Sequence, residues 1–331
     1  MPAEWEGHAA TWLAWPYNLN TWEGHLEGAE EVYARFIEIL TQRESVELCV
    51  PNEEVKERAQ RKLAPLNSPH EHLRFHTIET GDVWFRDFGP LFVVRGNEVG
   101  WTKWKYNALG NKWEDLLIGD TVPAVMPIQD MPHFDAGIVL EGGSIDVNGS
   151  GSLLTTESCL LNSNRNPHLT RFEIEQRLKD YLGVTNVLWL AAGIAGDDTD
   201  GHVDDVTRFV GLSTAVTMIE EDPSDENYHV LKENHERLRR MCNERGRPLR
   251  VTTLPMPRPF EVEDRRMAAS YANFYIANET VVVPTYAQPS DATAVNALQK
   301  LFPDRRVIGI DCRELIYGYG ALHCITQQQP L

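Results

Sequence analysis

Apolar positions along the chain alternate between two spacings. From Ala29 to Leu40 they fall at Ala29, Val32, Tyr33, Phe36 and Leu40, the spacing of a helix with one buried face. Thr170 and Glu173 form a capping-box pair that opens a second helix burying Ile174, Leu178, Tyr181 and Leu182. Tyr228, Leu231, His235, Leu238 and Met241 mark a third, with His235 at the edge of its apolar face, and Ser290 caps a fourth that turns Ala294, Leu298, Leu301 and Phe302 inward. Between them lie short strand patterns at 46–50, 91–94, 137–147, 152–156, 187–190, 207–211, 249–254, 279–284 and 307–310. Asn148-Gly149-Ser150-Gly151 is a hairpin turn between two of these strands. Hairpin-linked strands interrupted by helices argue against a doubly wound parallel sheet and for repeated ββα-type modules, although no sequence repeat of fixed period accompanies them.

At 331 residues, with no Pro/Ser-rich linker, low-complexity tract or long charge block, residues 1–331 are expected to form a single domain. The N-terminus lacks a basic stretch followed by an apolar one, and no segment reaches about eighteen uninterrupted apolar residues, so a cytoplasmic protein is expected. The five cysteines, Cys49, Cys159, Cys242, Cys312 and Cys324, include no CxxC pair and are odd in number, which fits free thiols better than disulfides or sulfur-bound zinc. A formal net charge of −18 disfavours nucleic acid and anionic membranes as partners and favours a cationic small substrate.

Four segments carry the candidate chemistry. Cys324 follows Gly318-Tyr319-Gly320-Ala321-Leu322-His323, where two glycines allow a turn closed to other residues and the positions after them suit a short strand. Asp82 to Pro90, Leu140 to Ser144 and Gly196 to Asp205 are glycine-bearing strand ends rich in carboxylates, the last with His202. An EF-hand register over Gly196 to Thr207 fails because neither end position is a carboxylate, and no HExxH supports a catalytic metal. Gly142-Gly143-Ser144 lacks the GxSxG elbow, and no phosphate-binding glycine loop appears, so no nucleotide cofactor is indicated. A thiol paired with a histidine is better supported. Carboxylates nearby would raise the thiol pKa unless the substrate is itself a cation, and a planar guanidinium is the cation that carboxylates bind in a fork.

Met1-Pro2-Ala3-Glu4-Trp5, Thr11 to Pro16, Trp84 to Pro90, Glu141-Gly142-Gly143, Asp198 to Asp204 and His323 to Gln328 together resemble the agmatine deiminase family, which includes bacterial peptidylarginine-deiminase-like proteins of the guanidine-modifying superfamily. The resemblance implies a pentein-like five-bladed α/β propeller of ββαβ units around a central active site, with neither metal nor organic cofactor. It also implies Cys324 as nucleophile, His202 as general acid/base with Glu141 as its carboxylate partner, and Asp87 and Asp204 gripping the guanidinium. Trp84 would line the pocket and Asp198 would read the far end of the substrate. Asp197, Asp200 and Asp205 are read as turn or capping residues, and Arg86 as a structural partner of carboxylates.

The expected reaction is agmatine and water to N-carbamoylputrescine and ammonia through a covalent thiouronium. The expected partner is a small cationic guanidine, with room for a homo-oligomer. Deimination of free or peptidyl arginine, amidino transfer, and non-catalytic polyamine binding are the competing readings.

Overall fold

An antiparallel hairpin followed by a crossover to a parallel strand recurs five times in the computed structural model, which describes residues 1–66, 69–262 and 264–331. The third unit shows the logic most plainly. Ile145–Val147 pairs antiparallel with Ser152–Thr156 across the Asn148–Gly151 turn, where Gly149 and Gly151 both have positive φ. The chain then runs through the helix Arg171–Leu182 and returns as Asn186–Leu190, parallel to Ser152–Thr156. Thr170 and Glu173 do form a reciprocal capping box, Gly183 ends the helix in the left-handed conformation, and Ile174, Leu178 and Leu182 are buried while Tyr181 is half-buried.

The fourth unit repeats this with Thr207–Gly211, Thr214–Ile219, the helix Asn227–Leu238 and Arg250–Pro255. The fifth uses Tyr275–Ala277, Thr280–Thr285, the helix Pro289–Leu301 and Arg306–Asp311. In the second, Leu91–Arg95, Glu98–Lys105 and His133–Val139 are joined through the short helical turns Glu114–Thr121 and Val122–Val125. The first unit is assembled from both ends of the chain. Gln327–Pro330 pairs antiparallel with His8–Ala14, the helix Leu26–Leu40 crosses over to the parallel strand Ser45–Val50, and Leu73–Thr77 adds an outer strand. The result is a five-bladed α/β propeller. Along its axis the first strands of neighbouring units touch, as Gln327–Pro330 does against Leu91–Arg95 and Ile145–Val147 against Thr207–Gly211.

Two expectations change. The strand pattern read over 137–147 is two strands, His133–Val139 and Ile145–Val147, because residues 140–144 turn sharply between them. Gly142 packs there so tightly that a Cβ would lie 2.1 Å from the Arg86 carbonyl oxygen. The last helix is capped by Gln288 with Asp291, two residues before Ser290, with Pro289 in its first turn. No helix among the described residues is long and apolar enough to cross a membrane.

Candidate active site

All four chemical segments meet at one end of the axis. Cys324 sits in the turn before Gln327–Pro330, Asp87 in the short helix Phe85–Phe88, Glu141 at the bend between the second and third units, and Asp204 in the turn Val203–Asp205 that enters the fourth. A cavity of about 380 Å³ adjoins them, lined among others by Cys324, Asp87, Asp205, Trp84, Trp113 and Asp198, while His202, Glu141 and Asp204 are buried outside its lining. Its acidic lining is Glu23, Asp87, Asp115, Asp198 and Asp205, and no Lys or Arg is among the described residues that line it.

Glycines set how closely these groups approach. A Cβ on Gly143 would lie 2.5 Å from His202 Nδ1, 2.9 Å from Asp87 Oδ1 and 3.1 Å from Asp204 Oδ2, so a side chain there would occupy the point where the three converge. The Gly143 N–H donates to Asp87 Oδ1 at 3.0 Å. In the Cys324 turn the residue in the left-handed conformation is Tyr319, at φ 77°, not either glycine. Gly318 and Gly320 are required instead by close approach: a Cβ on Gly318 would meet Trp22 at 2.5 Å and one on Gly320 would meet Trp84 at 2.3 Å. Trp84 thereby stacks between Trp22 and the turn, its ring 6.2 Å from that of Trp22, and forms one wall.

The thiol is surrounded by acids. Asp204 Oδ2 lies 3.7 Å from Cys324 Sγ. Burial first, then Asp204, Asp205 and Asp87, push the Cys324 thiol well above its ordinary pKa. Asp87 and Asp205 are themselves driven far above the usual carboxylate range by burial and by Asp204, together with Glu141 for Asp87 and Asp197 for Asp205. Asp204 goes the other way. Burial would raise it, but the hydrogen bond and charge of His323 hold it below that range.

His202 is fully buried, both its ring nitrogens lack a hydrogen-bond partner, and burial pulls its pKa down to about 3. The ring is therefore a neutral base at physiological pH, not a cation that could lower the thiol pKa. Asp87 Oδ1 stands 3.6 Å from its Nδ1. Glu141 does not hydrogen-bond it. Glu141 Oε1 accepts from Arg165 Nε at 2.7 Å, while Oε2 is free and the carboxylate lies within 4.8 Å of a ring nitrogen. Arg165 also donates to Asp200 Oδ2 at 2.6 Å and the Thr199 carbonyl at 2.9 Å, tying the His202 loop to Glu141.

Asp197 acts as the turn residue expected: it accepts from the Thr199 N–H at 2.7 Å and the His202 N–H at 3.2 Å. Asp200 likewise takes a left-handed turn position, at φ 68°, and pairs with Lys112 and Arg165. Asp205 is more than a turn residue, since it is buried, faces the thiol and lines the cavity. Asp198 accepts from Trp113 Nε1 at 2.9 Å at the cavity wall. Ser144 spends its hydroxyl on the Glu141 carbonyl at 2.6 Å, which removes it as a nucleophile.

Beneath the site lies a buried ionic network that the sequence patterns did not disclose. Glu4, from the N-terminal segment, meets Arg208 Nη2 at 2.9 Å, Arg86 Nη2 at 3.4 Å and His323 Nε2 at 2.8 Å. Burial alone would raise Glu4, but these three charges hold it far below the usual range. His323 Nδ1 reaches Asp204 Oδ2 at 2.7 Å, so Glu4 acts through His323 on a carboxylate beside the Cys324 sulfur. Arg86 also bonds Gln328 Oε1 at 2.8 Å, and Arg208 bonds Asp146. The Arg86 expectation of a structural role fits this placement. Alternating charge in short loops carries no period, so only the strings around Glu4 and His323, quoted above for their resemblance, pointed here.

Five ββαβ units with a thiol, an imidazole and carboxylates gathered on the axis define a pentein-like protein of the guanidine-modifying type. The chain belongs to the Porphyromonas-type peptidyl-arginine deiminase family, whose model matches residues 1–330. It is 37% identical over 340 residues to a putative agmatine deiminase of Legionella pneumophila, covering 100% of this chain and 94% of that protein. Among solved structures it is similar to the agmatine deiminase of Enterococcus faecalis, with TM-score 0.92, 32% identity and coverage of 100% and 95%. It is also similar to a cysteine-to-serine variant of the C. jejuni agmatine deiminase with substrate bound, with TM-score 0.89, 31% identity and coverage of 99% and 95%.

Proposed function

We propose that this protein is an agmatine deiminase, a hydrolase of C–N bonds in linear amidines that works through a covalent intermediate on Cys324. Residues 1–331 act as one catalytic unit in this reading, since the site draws on loops from both ends of the chain. The observation that carries it is the cavity lining: five acidic residues and, among the described residues, no Lys or Arg. Agmatine brings two positive charges and no carboxylate.

Asp87 and Asp204 hold the planar guanidinium with its central carbon over Cys324 Sγ. The arriving cation offsets the charge of Asp204 and of the carboxylates that ionise around it, so the thiol is no longer held protonated and its proton passes to the neutral His202. Sulfur attacks carbon to give a tetrahedral adduct. Protonated His202 returns the proton to the departing nitrogen, ammonia leaves, and a thiouronium stays on Cys324. Neutral His202 then takes a proton from water, whose oxygen adds to the same carbon, and C–S cleavage releases N-carbamoylputrescine. Glu141, locked by Arg165, contributes negative charge that favours the protonated state of His202 during both transfers. The C. jejuni protein solved with substrate bound is a cysteine-to-serine variant, which supports a cysteine in the chemical step. Five free cysteines and an acidic surface fit a cytoplasmic enzyme.

The test is a panel of agmatine, arginine and blocked peptidyl-arginine, scored for ammonia and ureido product. An α-carboxylate brought among Glu23, Asp115 and Asp198 would meet like charge that Lys112 and Arg265 beside Asp198 offset only in part, a cost of about 3 kcal/mol, so arginine should lose roughly 10²-fold or more in kcat/KM against agmatine. Salt should narrow that gap. Asp198→Asn should narrow it further if Asp198 faces the distal amine, while leaving the guanidinium chemistry intact. Equal or better turnover of arginine by the wild type would replace agmatine in this assignment.

A further inference from the structure

The reading of Cys324 as nucleophile leaves one difficulty: burial and three carboxylates all oppose a negative sulfur. Asn273 answers it. The residue is fully buried in the turn that precedes Tyr275–Ala277, and its amide orientation is fixed by its partners. Oδ1 accepts from the His323 N–H at 2.9 Å and from the Cys324 N–H at 3.4 Å. An amide oxygen only accepts and an amide nitrogen only donates, so the NH₂ end must face the other way. Its two protons point at Asp205 Oδ1, 2.9 Å away, and at Cys324 Sγ, 3.0 Å away.

We propose that Asn273 is a catalytic residue, donating from Nδ2 to the Cys324 sulfur in the two states where that sulfur is negative: the attacking thiolate and the thiolate expelled with the product. This rests on Cys324 being the nucleophile. A hydrogen bond to an ionised acceptor is roughly twice as strong as one to a neutral group, so the same N–H favours thiolate over thiol. In the first half, the thiolate electron pair forms the S–C bond while a C=N pair moves onto nitrogen. In the second, the C–S pair returns to sulfur as the adduct oxygen closes the C=O bond and its O–H proton passes to solvent water. The donor strengthens at both ends and weakens while sulfur is bonded to carbon.

The other groups facing the sulfur are Asp87, Asp204 and Asp205, which oppose its charge, the Tyr33 phenol, and the backbone of Ala321, which supports it. The Arg86 guanidinium lies behind the turn, bonded to the His323 carbonyl at 3.3 Å. Through Oδ1, Asn273 also holds the backbone of 323–324, so a purely structural role must be separated from donation.

Asn273→Asp keeps an acceptor for both N–H groups but replaces the neutral donor with a carboxyl that adds its own charge beside the sulfur, so it is read together with Asn273→Ala, which removes the donor and adds no charge. Iodoacetamide labelling of the Cys324 peptide, followed by mass spectrometry across neutral and alkaline pH, should shift its midpoint upward by about one unit or more in both variants. That is roughly ten-fold slower labelling at any pH below the midpoint. Turnover should fall with it.

A second measurement needs no folded variant at position 273. With ¹⁵N-asparagine in the wild type, one side-chain amide resonance should titrate with the Cys324 labelling midpoint, and that titration should vanish in Cys324→Ala. A wild-type labelling profile in well-folded Asn273→Asp or Asn273→Ala, or no asparagine amide that follows the thiol, would overturn the proposal. Turnover by Cys324→Ser would remove the nucleophile assignment itself, and this inference with it.

Discussion

Cys324→Ser is expected to abolish turnover of every guanidine substrate, by roughly 10⁵-fold or more as for other covalent nucleophiles, while agmatine binding survives. The hydroxyl is a far weaker nucleophile in a site whose buried acids already oppose deprotonation, whereas Asp87 and Asp204 are untouched. The surviving affinity should depend on pH in a definite direction. Without a cation, Asp87 and Asp205 hold their protons above the usual carboxylate range, because burial and their neighbours disfavour charge. A bound guanidinium needs carboxylates that are ionised. Binding therefore releases protons, and agmatine should bind more tightly as pH rises from the ordinary carboxylate range through the raised pKa values of these two acids. Asp204, held low by His323, adds nothing to this slope near neutrality. Calorimetry of Cys324→Ser at several pH values, in buffers of different ionisation enthalpy, reads both affinity and proton release. Affinity independent of pH would show that Asp87 does not ionise to grip the guanidinium.

How much of this was legible beforehand follows from what carries a period. Helical faces such as Ala29 to Leu40 and the Thr170 capping box are local and repetitive, so residue spacing alone locates them. The strands His8–Ala14, Glu98–Lys105 and Thr214–Ile219 carry no alternating pattern, being buried along most or much of their length instead of alternating inside and out. Pairing Gln327–Pro330 with His8–Ala14 joins segments about as far apart as the chain allows, and no local pattern encodes it. The candidate site residues are legible only as parts of several-residue strings, and the structure brings Cys324, His202, Glu141, Asp87 and Asp204 close to one another. Charge alone would not have selected them, for Asp197 and Asp200 in the same loop serve the turn while Asp205 lines the cavity. Asn273 gave no signal, since an asparagine in a loop is ordinarily a turn residue. Only the fixed direction of its amide distinguishes it.

His202→Ala should cost at least the 10²–10⁴-fold typical of lost general acid/base catalysis, and more if one ring serves thiol deprotonation, ammonia departure and water activation in turn. Ammonia release measures the loss, and near-normal turnover would exclude the ring from all three steps. The same substitution should have an opposite effect on acid stability. In the native protein burial holds His202 neutral down to about pH 3, whereas in the unfolded chain it takes up a proton near its ordinary pKa of about 6.5. Between those values the unfolded state binds the extra proton, so this residue makes the wild type progressively less stable as pH falls. Alanine removes that contribution. Urea unfolding at neutral pH and near pH 5 should therefore show a smaller acid-induced loss in His202→Ala than in the wild type. Parallel losses in the two proteins would mean that the imidazole is protonated in the folded state, and that a cationic His202, not the incoming guanidinium, brings the thiol to its reactive form.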